Sequence, residues 1–160
     1  MKVLLVNPYQ VDLVQKKGRI YTRVWTPLDL AYSAAVLERA GIEAAVLDAN
    51  ALRLGPHQVA QAAQGYDKVF ITSTSLDRWQ CPHLDLQPFF HTVEALRREA
   101  PEVYVMGSHG TVKPAEMLAE TQASAVLRGE PENTVFEICS SSSLQDVRGI
   151  TFQKDRKSVV

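Results

Sequence analysis

What the sequence lacks bounds it first. It has no long apolar run: the opening MKVLLVNP holds one Lys and the four apolar residues VLLV before Asn7-Pro8. That is too short for the apolar core of a signal peptide, and no later run approaches a membrane span, so a membrane partner is not expected. Cysteine is scarce, with only Cys81 and Cys139, which do not make a disulfide framework. A reduced, cytoplasmic setting is the expectation. An excess of one charge is missing too: 17 Lys and Arg stand against 18 Asp and Glu, interspersed, for a net charge of −1. Nothing here attracts a polyanion, so nucleic acid is not expected as a partner. What is present is ordinary globular material, 160 residues with 46% hydrophobic and 22% charged, enough for one domain with a proper core.

Five β-rich runs punctuate the chain: Lys2–Asn7, Glu43–Asp48, Lys68–Thr72, Glu102–Met106 and Ala125–Arg128. Most are apolar without alternation, as strands buried on both faces are. Helical patterns fall between them. Leu30, Ala34 and Leu37 recur at i, i+4 and i+7, and Phe89, Val93, Leu96 and Ala100 repeat the idea with Glu94, Arg97 and Arg98 opposite. For the first helix the sequence predicts Thr26 as N-cap, Pro27 at N1, Asp29 at N3 and Gly41 just past the end. Strand–helix alternation of this kind predicts a doubly wound, flavodoxin-like α/β fold: a five-stranded parallel sheet, helices on both faces, right-handed crossovers.

The connections carry a further message. Helix-to-strand links are short, whereas strand-to-helix links are long: Pro8 to Thr26, Ser73 to Gln87, Gly107 to Lys113 and Gly129 to Glu132. Loops of that length in a compact domain are usually functional. In an open α/β sheet, ligands sit outside the carboxyl ends of the strands where strand order reverses, which for the order 2-1-3-4-5 lies between strands one and three. The segment Ser140–Ser143 reads as a linker. Gly149–Phe152, then polar Lys154–Lys157, then Ser158–Val160 reads as a C-terminal hairpin whose second strand is cut short, which suggests a piece of a longer protein.

Common nucleotide signatures are absent. No G-x-G-x-x-G follows strand one and no G-x-x-x-x-G-K-[ST] occurs, which removes dinucleotide and P-loop readings. Asn7 and Thr72 stand where a receiver domain would carry acids. Two positive features remain. The hydroxyl cluster Thr72-Ser73-Thr74-Ser75 follows strand three and offers donors and acceptors to a ligand, although the same run also serves as turn and cap. Gly107-Ser108-His109-Gly110-Thr111 follows strand four; its two glycines admit positive φ and a close ligand, or simply a tight strand-to-helix turn. Gly129-Glu130-Pro131 after strand five is similar, with Pro131 suited to the N1 position of a helix.

At these residues the chain resembles the N-terminal cobalamin-binding domain of cobalamin-dependent radical SAM proteins. The resemblance runs through KVLLVNP, TPLDLAYSAAVLERAGIEAAVLDA, GSHGTVKPAEML, AVLRGEPENTVFEI and the hairpin GITFQKDRK. It implies cobalamin lying across the carboxyl ends of the strands. The nucleotide tail would run beside strands three to five, where Thr72 to Ser75, Gly107 to Thr111 and Gly129 to Pro131 would line the slot. Corrinoid domains of the methionine synthase kind carry D-x-H-x-x-G after strand one, whose His ligates cobalt; YQVDLVQKKGRIYTRVW has no His. The resemblance therefore implies base-off cobalamin with no protein imidazole beneath cobalt. Arg78 or Trp79 is the candidate for the lower face, where a cation would favour reduced cobalt. No protein ligand to the metal is assigned.

A radical SAM enzyme holds its [4Fe–4S] cluster with three cysteines, usually CxxxCxxC, and this chain has two cysteines 58 apart. No catalytic residue is assigned, so the expected role is to carry a methyl group on cobalt while a radical SAM domain, in cis or in trans, supplies S-adenosylmethionine and the cluster. Residues 1–139 would form the cobalamin-binding unit and 140–160 the linker and hairpin leading into that domain. The alternative is a regulatory or protein-interaction domain that keeps the fold and has lost the cofactor. Cys81-Pro82-His83 supplies two ligands, too few for zinc. His57 and His91 sit on polar helix positions, His109 is a candidate contact to the tail, and Tyr9, Tyr21, Trp25 and Trp79 cluster in or beside the two longest loops.

Overall fold

The computed structural model describes residues 1–9, 15–16, 19–20, 26–74, 86–154 and 157–159. The apolar runs form parallel strands: β1 (Lys2–Asn7), β2 (Glu43–Asp48), β3 (Lys68–Thr72), β4 (Glu102–Met106) and β5 (Ala125–Leu127). The last stops a residue short of the expected end, because Arg128 leaves the parallel ladder and donates its amide to the Gly149 carbonyl at 2.8 Å. The C-terminal hairpin is present as β6 (Ile150–Lys154) and β7 (Lys157–Val159). It extends the same sheet, with β6 antiparallel to β5, giving the order β2-β1-β3-β4-β5-β6-β7. The five parallel strands thus take the doubly wound order expected. Within the loop after β1 a two-rung antiparallel ladder pairs Gln15 with Ile20 and Lys16 with Arg19.

Among the described residues seven α-helices connect the strands: α1 (Leu28–Arg39), α2 (Ala49–Leu52), α3 (Pro56–Ala62), α4 (Gln87–Glu99), α5 (Ser108–Val112), α6 (Pro114–Thr121) and α7 (Pro131–Ser140). Pro56, Pro88, Pro114 and Pro131 each lie in a first turn, where the missing N–H costs nothing and the fixed φ is already helical. Two local expectations change. The link expected over Gly107–Lys113 contains one helical turn, α5. The start of α1 falls at Leu28 with Pro27 in the cap position and no side-chain cap from Thr26. Asp29 does the capping work from inside the first turn, its Oδ1 accepting the Leu30 N–H at 3.0 Å. At the other end Gly41 takes φ +75°, and the amides of Gly41 and Ile42 donate to Glu38 and Leu37 carbonyls at 2.9 and 3.0 Å.

Alternate strand residues feed two core layers, as the period of two requires. Leu4, Val6, Val69, Ile71, Val103, Val105 and Val126 pack with Val59, Phe89, Val93, Leu96, Met117 and Leu118 on the face covered by α3, α4 and α6. Val3, Leu5, Phe70, Tyr104, Met106 and Leu127 pack with Leu30, Leu37, Val135 and Ile138 on the face covered by α1 and α7. Burying a side chain of the size of Phe89 or Leu30 contributes about 1.5–3 kcal/mol, so these layers fix the sheet as a rigid base for its loops. Adjacent β1 and β3 send their connections to opposite faces, α1 to one and α4 to the other, which parts the chain at their carboxyl ends.

Candidate functional site

A cleft of about 490 Å3 opens at the carboxyl edge of the sheet. One wall is the first turns of α1, from Thr26 to Asp29 together with Tyr32; the floor is Thr72 and Thr74 at the end of β3. The opposite wall is Gly107, Ser108, Thr111 and Val112 beside α5, closed off by Gly129 to Glu132 at the start of α7. The volume lies within the range of ordinary small-molecule sites. Among the described residues its lining comes from α1 and from the ends of β3, β4 and β5; at the end of β1, Asn7 Nδ2 donates to Asp48 Oδ1 at 2.8 Å, and the same oxygen caps α2 through the Ala51 amide.

Three side chains give the cleft an apolar rim. Leu28 is 58% exposed, Tyr32 61% and Val112 76%, half of the six large hydrophobics exposed among the described residues. Leu28 and Tyr32 stand one turn apart on α1, away from the buried Leu30 and Leu37. Such a concentration beside a concave surface marks an interaction site. One polar atom also awaits a partner: Ser108 Oγ is buried without a hydrogen bond. A hydroxyl in that condition costs stability unless something satisfies it.

The glycines divide by purpose. Gly107 adopts φ +101°, and a Cβ there would stand 2.7 Å from Thr74 N and Oγ1 and 2.9 Å from Ser73 N. At Gly110 a Cβ would stand 2.8 Å from Val126 Cγ1, so this glycine lets α5 lie against β5. Both glycines therefore answer to internal packing. Gly129, at φ +76°, has nothing within 4 Å of a Cβ position and leaves its space to the cleft.

Of the residues predicted from sequence, Thr72, Thr74, Gly107, Ser108, Thr111, Gly129, Glu130 and Pro131 come together around the cleft. Ser73 does not; it is buried, with Oγ donating to the Met106 carbonyl at 3.1 Å. His109 and Gly110 lie in α5 outside the cleft lining. Ser75, Arg78 and Trp79 lie outside the described residues, as do Tyr21, Trp25, Cys81 and His83. His57 and His91 are exposed on their helices. Sequence reasoning missed Asp29, Leu28, Tyr32, Val112 and Glu132. The available signal was the second apolar pair on α1, Leu28 and Tyr32, off the stripe that packs on the sheet.

Asp29, Glu130 and Glu132 line the cleft, and among the described residues that line it none is basic. That field suits a neutral or cationic group and opposes a phosphate dianion. Among the described residues no group of three or more His, Cys, Asp or Glu is arranged to hold a metal ion, and no helix is long and apolar enough to cross a membrane.

The other edge of the sheet holds a second polar cluster. Lys68 and Glu102, neighbours at the starts of β3 and β4, form an ion pair, and Tyr104 donates its hydroxyl to Glu102 at 2.5 Å. The Tyr104 ring stacks on Phe70 at 4.8 Å, with Lys68 Nζ 5.4 Å from its centroid. Burial pushes the Glu102 carboxyl up, but hydrogen bonds from Lys68 and Tyr104 and the Lys68 charge outweigh it, leaving the group below the usual carboxylate range. Burial first, then the bond to Glu102 and its charge, hold the Tyr104 hydroxyl well above the usual phenol range. Burial also pushes the nearby Cys139 thiol up to about 11, the Glu102 charge adding to it and the Lys68 charge opposing. Lys68, Glu102 and Tyr104 satisfy one another and lie outside the lining of the cleft.

Neither protein-family models nor curated proteins yield a match to this chain. Solved structures do. The radical S-adenosylmethionine methyltransferase TsrM from Kitasatospora setae, with tryptophan substrate and the SAM analogue aza-SAM bound, superposes with a TM-score of 0.77 at 20% identity, over 99% of this chain and 29% of that one. The same enzyme with cobalamin and a [4Fe–4S] cluster bound gives 0.76 at 19% identity, over 98% and 28%. The cobalamin-dependent S-adenosylmethionine radical enzyme OxsB, with aqua-cobalamin and S-adenosylmethionine bound, gives 0.65 at 14% identity, over 99% and 21%. The fold is thus one found within cobalamin-dependent radical SAM enzymes, as the sequence motifs suggested. This chain spans less than a third of the length of any of the three.

Proposed function

We propose that the carboxyl-edge cleft seats cobalamin, base-off and with no protein imidazole beneath cobalt, for a radical SAM methyltransferase. The observation that carries this reading is an open cleft, rimmed by exposed Leu28, Tyr32 and Val112, in a fold shared over 98% of its length with cobalamin-bound TsrM. The residues present fit the cofactor. Gly129 leaves room beside the backbone, Ser108 Oγ is an unsatisfied hydroxyl for an amide or tail oxygen, and the apolar rim suits the edges of a macrocycle. The three carboxylates suit the positive charge of a cobalt(III) corrin and oppose a terminal phosphate such as that of a flavin mononucleotide.

When bound, cobalamin would supply a methyl group carried on cobalt for transfer to a substrate. This chain's own residues bind and orient the group; they perform no chemistry on it. Residues 1–139 are the cobalamin-binding unit in this reading, and 140–160 the linker and hairpin toward a radical SAM domain that brings S-adenosylmethionine and the [4Fe–4S] cluster, in a cytoplasmic setting. Arg78 or Trp79 is assigned to the lower face of the corrin, where a cation would disfavour a sixth ligand.

The test is reconstitution. The protein is incubated with hydroxocobalamin, desalted, and its visible spectrum recorded. Retained corrinoid with a base-off spectrum is expected. A colourless protein removes the reading and leaves the regulatory or protein-interaction alternative, which the exposed apolar rim would then serve.

A further inference from the structure

The hydroxyls that look most like ligand donors are already committed. Thr72 is 1% exposed. Its Oγ1 donates to Asp29 Oδ2 at 2.6 Å and accepts the Thr74 amide at 3.1 Å. The other carboxylate oxygen of Asp29 accepts the Leu30 amide at 3.0 Å. Thr74, so held, fills the space that a Cβ would need at Gly107. From Gly107 the chain of contacts continues. Thr111 Oγ1 donates to the Gly107 carbonyl at 3.1 Å and accepts the Gly129 amide at 2.9 Å. A continuous belt therefore runs under the cleft, from α1 through the ends of β3 and β4 to the loop after β5.

We infer that this belt is a positioning device and that Thr72 is its keystone. Thr72 does not touch the ligand. It fixes the first turn of α1, which carries Leu28 and Tyr32, at a set distance from the wall formed by Ser108, Thr111 and Gly129. The ligand's polar contact then falls to Ser108 Oγ, and Gly129, its amide committed to Thr111, leaves room beside the backbone. The physical reason is preorganisation: a binding wall that is already held loses no freedom when the ligand arrives, whereas a loose wall must be ordered at the cost of affinity. A carboxylate as acceptor makes the Thr72–Asp29 bond the strongest link, since charge-assisted hydrogen bonds exceed neutral ones. The claim that this belt serves cobalamin rests on the function proposed above; the belt itself does not.

Thr72→Val keeps the shape and removes both hydrogen bonds, while Thr72→Ser keeps the hydroxyl. Two measurements are made on each, in the full chain. Amide exchange, read without any cofactor, reports on Leu30 and Thr74. Titration with hydroxocobalamin at a temperature where every variant is folded reports affinity. Faster exchange at both amides in Thr72→Val, a roughly tenfold loss of corrinoid affinity, and recovery of both in Thr72→Ser are expected. Where Thr72→Val does not fold, Thr72→Ala replaces it, with the same two readouts and the same expected direction. Unchanged exchange overturns the belt. Changed exchange with unchanged affinity overturns its positioning role and leaves the proposed function standing. A wild-type chain that binds no corrinoid overturns both the proposed function and the positioning role, while exchange alone still judges the belt.

Discussion

The two edges of this sheet carry polar groups in opposite conditions. At the start of β3 and β4, Lys68, Glu102 and Tyr104 satisfy one another in a half-buried knot stacked on Phe70. At the carboxyl ends of β3 to β5 a cleft stays open, with exposed Leu28, Tyr32 and Val112, a buried hydroxyl at Ser108 with no partner, and three carboxylates with no basic side chain among the described lining residues. Among the described residues, one edge pairs its polar groups and the other leaves a hydroxyl unpaired beside an apolar rim. Arg128 Nε and Thr151 Oγ1 are also buried without a hydrogen bond, so it is the unpaired Ser108 hydroxyl together with the exposed apolar rim that singles out this edge.

Substitutions separate the edges by which property they move. The largest effect is expected at Gly107→Ala. An alanine there meets backbone strain of about 1–3 kcal/mol and overpacking against Thr74 of about 1–3 kcal/mol. Gly129→Ala meets strain alone, about 1–2 kcal/mol, because nothing lies near its Cβ position. Thermal unfolding of the pair measures the gap, and equal losses would show that the floor of the cleft is not packed as described.

Lys68→Met comes next. It removes the ion pair and the Lys68 hydrogen bonds to Glu102 and Tyr104, a loss of about 1 kcal/mol given how exposed Glu102 is, with corrinoid binding unmoved. The same cluster sets an acid dependence. Because the Glu102 pKa lies below its unfolded value, its contribution is full above the ordinary glutamate pKa of about 4.3 and fades as pH falls through the folded value. Glu102→Gln should therefore lower the melting temperature near neutrality and flatten the acid side of its profile, the gap to wild type closing as pH falls.

Leu28→Ala and Tyr32→Ala invert that pattern. Both side chains are mostly exposed, so stability should stay within about 0.5 kcal/mol while corrinoid retention falls several-fold. A matched fall in melting temperature would reassign the rim to the domain's own packing. The smallest effect is chemical. With its thiol pushed up to about 11, Cys139 should alkylate far more slowly at mildly basic pH in the native chain than after unfolding, followed by peptide mass spectrometry.

The strands were legible because buried parallel strands leave apolar runs that little else produces, and the observed order of the five parallel strands is the flavodoxin-like one expected of this alternation with helices. The direction of side chains within loops was not. Ser73 and Gly110 sit in the same short motifs as Thr74 and Ser108, yet one bonds back to Met106 and the other makes way for Val126. Spacing cannot say which side of a loop a residue faces. Asp29 hid for a different reason: the sequence marked it as an ordinary first-turn acid, and only its 43-residue reach to Thr72 reveals the belt. Leu28 and Tyr32 were visible as apolar residues, but their role required knowing that α1 covers the sheet with its other stripe.

Hydrogen–deuterium exchange with and without hydroxocobalamin tests the central claim most directly, because it reads both edges at once. Slower exchange confined to residues 26–32, 107–112 and 129–132, with residues 66–69 and 102–104 unchanged, is the predicted result. Bound corrinoid that leaves the carboxyl edge unprotected, or protects the amino edge instead, would contradict it.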